Sequence, residues 1–299
     1  MLMSDCLLPF MFDRADVRGA VVNLDATWRA VTLRREYPLA VRTLLGEAMA
    51  AAALLSSTIK FAGALVLQAQ ASDSGAPMRL MVVECNADLG MRATAKLGSE
   101  APGDQGQSLA DLVGDGKIVI TLDPGDGQPA YQGVVPIEGE HLGTALEHYM
   151  QRSEQLETRI YLAADDARAA GLLIQRLPRE GGLAARADAT RWDDAVALAH
   201  TIKSQELLTL DPREVIRRLF HQFDLRLFDE RGTRFRCTCS RERVAGMLRM
   251  LGRAEVDSII AEQGVVSVDC EFCNQRYGFD TIDAAQVFQT SGGLSGTSH

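Results

Sequence analysis

The chain has 299 residues, of which 46% are hydrophobic and 24% charged, and it carries a formal net charge of −9. Such a composition belongs to an ordinary globular protein with one large core or two modest ones. The acidic balance excludes a protein whose whole surface grips nucleic acid, because phosphate neutralisation needs clustered Lys and Arg.

Near the N-terminus, Leu7-Leu8-Pro9-Phe10-Met11-Phe12 is apolar, but Asp5 stands where a secretory signal carries positive charge, so no export is expected. The apolar stretch 44–67 is broken by Glu47, by Lys60 and by Ser56-Ser57-Thr58, which is too interrupted for a membrane span. A cytoplasmic protein without a membrane partner is therefore expected. Six cysteines in so long an unexported chain do not read as a disulfide framework, since the cytosol keeps thiols reduced and a core of this size needs no staples.

Residues 38–55 are rich in Ala and Leu and predict a mostly buried helix. The period then changes. Segments 63–70, 78–85 and 91–96, separated by Ser/Asp/Gly and Asn/Asp/Gly turns, predict an antiparallel meander, and 117–122 and 130–137 continue it. The intervening Asp123-Pro124-Gly125-Asp126-Gly127 lacks the G-x-x-x-x-G-K-[ST] pattern of a phosphate loop and reads as a hairpin connection. A helix over 141–151 and strands over 157–162 and 171–177 close a first domain at 1–178. Strands dominate it and helices pack against them, which is an α+β arrangement.

Arg179-Glu180-Gly181-Gly182 marks a boundary, and 179–232 reads as a helical connector. Thr190 is a candidate cap for a helix through Trp192, Val196, Leu198 and Ala199. Asp211-Pro212-Arg213-Glu214 offers a cap, a first-turn proline and a back-reaching carboxylate for the next. The last module spans 233–290, and 291–299 is a Gly/Ser-rich tail expected to be disordered. At under about sixty residues the module is too small to be secure without a staple.

Four cysteines supply one. Cys237 and Cys239 form a C-x-C pair, Cys270 and Cys273 a C-x-x-C pair, about thirty residues apart. Two tight pairs of soft ligands suit tetrahedral zinc, so one zinc ion on Cys237, Cys239, Cys270 and Cys273 is expected. Between the pairs, Val244, Met247, Leu248 and Leu251 share one helical face and Val256, Ile259 and Ile260 another. Gly264 stops the second helix, and Val265-Val266-Ser267-Val268 is strand-like. Cys6 and Cys85 are isolated and read as passive thiols. None of His141, His148, His200, His221 or His299 sits in a metal or nucleophile motif, and no G-x-S-x-G or H-E-x-x-H occurs, so no enzyme is expected.

The segment FRCTCSRERV at 235–244, with Cys270-Glu271-Phe272-Cys273 and Tyr277-Gly278-Phe279-Asp280, closely resembles the redox-regulated 33 kDa heat-shock chaperone family, also called the 33 kDa chaperonin. The likeness runs along nearly the whole chain: Leu44-Leu45-Gly46-Glu47-Ala48, Lys60-Phe61-Ala62-Gly63, Tyr131-Gln132-Gly133, Ser153-Glu154-Gln155 and Ala170-Gly171-Leu172-Leu173-Ile174-Gln175 fall in the family's order. Ala71 and Ala93-Thr94 depart from the residues expected in relatives.

The resemblance implies an ATP-independent holdase that is inactive when reduced and zinc-bound. Oxidation to the disulfides Cys237–Cys239 and Cys270–Cys273, with zinc release and unfolding of the C-terminal module, would activate it. It also implies unfolded client proteins as partners and a homodimer in the oxidised, active form. Three rivals stay open. The arginines between 213 and 253 could make a nucleic-acid-binding zinc module, the C-x-x-C could serve a thiol–disulfide oxidoreductase, and the metal could be purely structural.

Overall fold

The computed structural model describes residues 5–13, 16–58, 63–73, 75–99, 108–125, 127–137, 141–178 and 190–289. The expected boundary at Arg179-Glu180-Gly181-Gly182, the tail 291–299 and Lys60-Phe61-Ala62 lie outside the described residues. The chain divides into two compact units, Met1–Arg236 and Cys237–His299.

The first unit runs β1 (Cys6–Phe12), β2 (Val17–Leu24), α1 (Ala26–Thr32), α2 (Leu39–Thr58), β3 (Ala64–Gln70), β4 (Met78–Asn86), β5 (Gly90–Leu97), α3 (Leu109–Val113), β6 (Lys117–Asp123), β7 (Tyr131–Pro136), α4 (Leu142–Ser153), β8 (Thr158–Ala164) and β9 (Ala169–Arg176). It continues through α5 (Thr190–Ala199), α6 (Ser204–Thr209), α7 (Pro212–Phe220), β10 (Leu225–Leu227), β11 (Arg231–Gly232) and β12 (Arg234–Phe235). One sheet has the order β10-β1-β2-β9-β8, with β11 also on β1, and the other β12-β5-β4-β3-β6-β7.

Helix α2 lies between the two sheets, touching β2, β8 and β9 of one and β3, β4 and β5 of the other. Its run Ala50-Ala51-Ala52-Ala53 is fully buried, and small side chains are what let two sheets close on one helix. The helix is long and apolar enough to cross a membrane by length and composition, yet most of its apolar stretch is buried inside the fold as a core helix. Alternation along the strands serves two cores. Leu7, Val22 and Leu173 face the α2 side, while Leu8, Phe10, Val21, Leu172 and Ile174 face Trp192, Val215, Ile216 and Phe220 of the later helices.

Two expectations need correction. The strand 117–122 does not extend the meander from β5; β6 pairs with β3, from Ala64 opposite Asp123 to Gln70 opposite Lys117, which places β3 at the centre of the sheet. The Asp211 side chain does cap α7 by accepting from the Arg213 N–H at 2.9 Å, but Glu214 turns to Arg217 instead of reaching back. The ion pair with a flexible guanidinium one turn on outcompetes the backbone N–H.

The segment 179–232, expected as a connector, contributes α5 to α7 to the second core of the first unit. Its end and Arg234–Phe235 just beyond it become strand: Leu7 pairs with Arg231, and Phe235 runs parallel beside Met91. The first unit thus reaches Arg236.

The second unit has α8 (Arg241–Leu251), α9 (Arg253–Gln263), β13 (Val266–Asp269), β14 (Arg276–Phe279) and α10 (Thr281–Gln289). Gly264 ends α9 with φ of +79°, the left-handed cap that glycine adopts without a Cβ penalty. Its core is Ala245, Leu248, Val256, Val266, Phe279, Ala284 and Val287. The fold class is α+β, a strand-rich domain with packed helices followed by a small unit bearing four cysteines.

Candidate metal centre

Both cysteine pairs sit where regular structure stops. Cys237 and Cys239 occupy the irregular stretch between β12 and α8, and the Ser240 side chain closes it by accepting from the Arg243 N–H at 3.3 Å to start α8. Cys270 and Cys273 form the turn between β13 and β14, where the Cys270 N–H donates to the Gln275 carbonyl at 2.9 Å and the Asn274 N–H to the Cys270 carbonyl at 2.8 Å. Asn274 adopts φ of +58°, a left-handed conformation that Asn tolerates, and this folds the loop tightly enough to aim two sulfurs the same way.

The four sulfurs all lie within 4.8 Å of one another. Cys237 Sγ is 3.7 Å from Cys270 Sγ, and Cys239 Sγ is 3.4 Å from Cys273 Sγ. A tetrahedron with metal–sulfur bonds of about 2.3 Å has edges of about 3.8 Å. Sulfur atoms in a disulfide stand only about 2.05 Å apart, so these are four separate thiols arranged at the corners of a metal-sized cage. All four are half-buried.

The electrostatics also call for a cation. Burial raises the thiol pKa of Cys270, with backbone hydrogen bonds from Phe272 and Cys273 opposing the rise. Cys273 is pushed well above the usual thiol range, first by burial and then by the crowding of Cys239, Cys237 and Cys270. Four sulfurs this close cannot all ionise alone, whereas a divalent cation among them deprotonates its thiol ligands outright. The residues therefore fit a metal ion. Tyr277 adds a feature that spacing did not reveal, because its hydroxyl donates to Cys239 Sγ at 3.1 Å.

Other candidates stay apart. Cys6 and Cys85 are buried in the first unit, and burial lifts the Cys85 thiol to about 11, which makes it a poor nucleophile. Among the described residues, no histidine or carboxylate joins a metal-sized cluster. The arginines that suggested nucleic acid have partners within the protein. Arg217 pairs with Glu214, Arg218 with Glu206, Arg241 with Asp283, and Arg234 and Arg236 with Asp88. Arg231, Arg243 and Arg249 donate to Ala87 O, Thr238 Oγ1 and Val287 O.

A two-sheet α+β unit followed by a small unit closed on four thiols defines a protein whose C-terminal part carries a four-cysteine cluster able to hold a soft metal ion. Residues 5–280 match the family model described as Hsp33 protein. The chain is 47% identical to the 33 kDa chaperonin of Methylobacillus flagellatus, over 97% of this chain and 96% of that one. It is 46% identical to the 33 kDa chaperonin of Chromobacterium violaceum, over 95% and 94%. Its fold is similar to the crystal structure of the 33 kDa chaperonin, or heat shock protein 33 homolog, of Thermotoga maritima. The TM-score is 0.81 at 20% identity, covering 96% of this chain and 99% of that one. The chain belongs to the Hsp33 family, and is a chaperone of that family with a C-terminal four-cysteine cluster.

Proposed function

We propose that this chain is a redox-regulated, ATP-independent holdase with no enzymatic turnover, silent while Cys237, Cys239, Cys270 and Cys273 are reduced on one zinc ion in the cytoplasm. The observation that carries the proposal is the cage of four sulfurs within 4.8 Å, set in a unit whose core is seven buried side chains, three of them valine and two alanine. Zinc bound there would keep the sulfurs as thiolates and supply on the order of 10–16 kcal/mol of apparent binding energy.

The sulfurs themselves are the sensor. The thiolates of Cys270 and Cys273 give up two electrons to one hydrogen peroxide, which takes two protons from solvent and leaves as two waters, and a disulfide remains; Cys237 and Cys239 do the same with a second peroxide. A ring across C-x-C is tight, and strained disulfides are the easily reduced ones, which suits a reversible switch. With its sulfurs paired off, the second unit keeps only its small core and unfolds. Apolar surface is then available to unfolded client proteins, and a homodimer is the active form. Cytosolic residence follows from the need for reducing conditions in the resting state.

The test is light scattering from a heat-unfolding client mixed with reduced, zinc-loaded chain or with peroxide-treated chain. Suppression by the oxidised sample alone is the expected result. Equal behaviour of both samples would reduce the four cysteines to a structural staple.

A further inference from the structure

Helix α2 carries one carboxylate, Glu47, for which no hydrogen bond or ion pair exists among the described residues. It lines a cavity of about 360 Å³ in the first unit, whose walls are Leu39, Leu44, Leu109, Leu112 and Leu142. The side chain is half-buried and keeps its exposure within this cavity, so the carboxylate faces whatever fills the space, a ligand, an ion or water. The surrounding polar groups do not serve. Ser108 is engaged with Asp111 in a capping box, and His141, at the start of α4, is exposed. Burial alone lifts the Glu47 carboxyl to about 7, the mark of a charge with no cation beside it.

The cavity is within the size range of small-molecule sites, about 300–1,000 Å³. One carboxylate is too few oxygens to hold a divalent metal. Among the described residues, the lining offers no Phe, Tyr or Trp face on which a planar guanidinium would stack. What remains is a compact cation on an aliphatic stem. We propose that this cavity binds a primary alkylammonium group, with the ammonium on Glu47 and the alkyl carbons against the leucine walls. The ammonium can come from a free small amine or from a lysine side chain of an unfolded client, and the second source rests on the holdase reading.

The experiment is isothermal titration of the reduced full-length chain at pH 8 with hexylammonium, hexanol and hexanoate. Hexylammonium is expected to bind about tenfold or more tightly than hexanol, as for a hydrogen bond to a charged group. The isosteric Glu47→Gln should bring the two within about twofold of each other. Thr43→Met, which fills the cavity from the same helix while keeping Glu47, should weaken all three ligands. Unchanged hexylammonium affinity in Glu47→Gln would overturn the proposal. So would hexanoate as the tightest ligand, since the positive N-terminal ends of α2 and α4, which reach the same cavity, would then set its sign.

Aggregation assays with oxidised Glu47→Gln separate the two sources. Weaker protection of a lysine-bearing client, with no loss against its lysine-acetylated form, identifies the client side chain. Protection unchanged for both identifies the free amine, provided the titration shows binding. Equal loss against both forms would mean a structural role for Glu47 and would sink the proposal.

Discussion

The Tyr277 hydroxyl on β14 donates a 3.1 Å hydrogen bond to the sulfur of Cys239, thirty-eight residues earlier in the chain. That bond, more than any other contact, pushes the phenol up to about 12, so the hydroxyl keeps its proton and remains a donor throughout the physiological range. A donor to a thiolate both orients it and withdraws charge from it. Tyr277→Phe should therefore weaken metal affinity by about tenfold, the lower end of the usual effect of such outer contacts. It should also speed sulfur oxidation by peroxide. Competition with a chromophoric chelator reads the first and stopped-flow metal release the second. Wild-type values in both would show that the bond does nothing for the cage.

In the first unit, Asp88 at the β4–β5 turn accepts from Arg234 and, at 3.1 Å, from Arg236, immediately before Cys237. The backbones of the same two arginines donate to Leu89 O and Met91 O at 3.2 and 2.8 Å, so side-chain and main-chain bonds hold one short strand. Both partners of each ion pair are about half exposed, which limits the pairs to roughly 0–1 kcal/mol each. Asp88→Ala should accordingly raise amide exchange at Arg234 and Arg236 by about fivefold while leaving β1, β2 and β9 protected, a change of about 1 kcal/mol. Hydrogen exchange with mass spectrometry reads it. No change at those two amides would mean that β12 is held by its backbone bonds and by Phe235 alone.

Much of the site was legible because its ligands are local: two short pairs, each closed by a turn or a cap, announce themselves without knowledge of the fold. Tyr277 was not, since its relation to Cys239 exists only after β14 folds back on β13. The same reason hid β1 and β2. Leu7, Leu8, Phe10 and Phe12 are buried against two different cores, so the strand shows a continuous apolar run and not the alternation of a half-buried one. Strands β10 to β12 are short, polar and set by distant partners such as Cys6, Leu7 and Met91. The helix over α2 was plain from its alanines, but nothing local says that Glu47 lacks a partner.

Burial of Glu47 makes a separate claim about stability. Its folded pKa of about 7 stands above the value near 4.3 of an unfolded chain, so the unfolded state gives up its proton first. No cost is felt below about pH 4, and stability is lost as pH rises from there through 7. Glu47→Gln should thus be more stable than the native chain by about 2–3 kcal/mol at pH 8 and equal to it near pH 4. Urea denaturation followed by tryptophan fluorescence monitors the first unit directly, since Trp28 and Trp192 both lie in it. A gain that is the same at both pH values would trace to packing and not to charge.

Metal removal should act on the second unit alone. Its apolar core is two alanines, three valines, Leu248 and Phe279, with Arg241 stacked 4.3 Å above the Phe279 ring. Without a cation the four sulfurs contribute only crowded thiols, and a core of that size does not hold five elements together. The first unit keeps two large cores that involve none of the four cysteines. Trypsin added to the reduced chain with excess chelator should therefore cut first after Arg249, Arg253 and Arg276, leaving a fragment that retains the first unit. Added zinc should suppress those cuts by at least about tenfold, a stabilisation of roughly 1.4 kcal/mol or more. Cys239→Ser should be cut at the same sites even with zinc present at stoichiometric concentration. Equal resistance of the chelated and loaded chains would show that the second unit folds on its small core, and the proposed switch would have nothing to release.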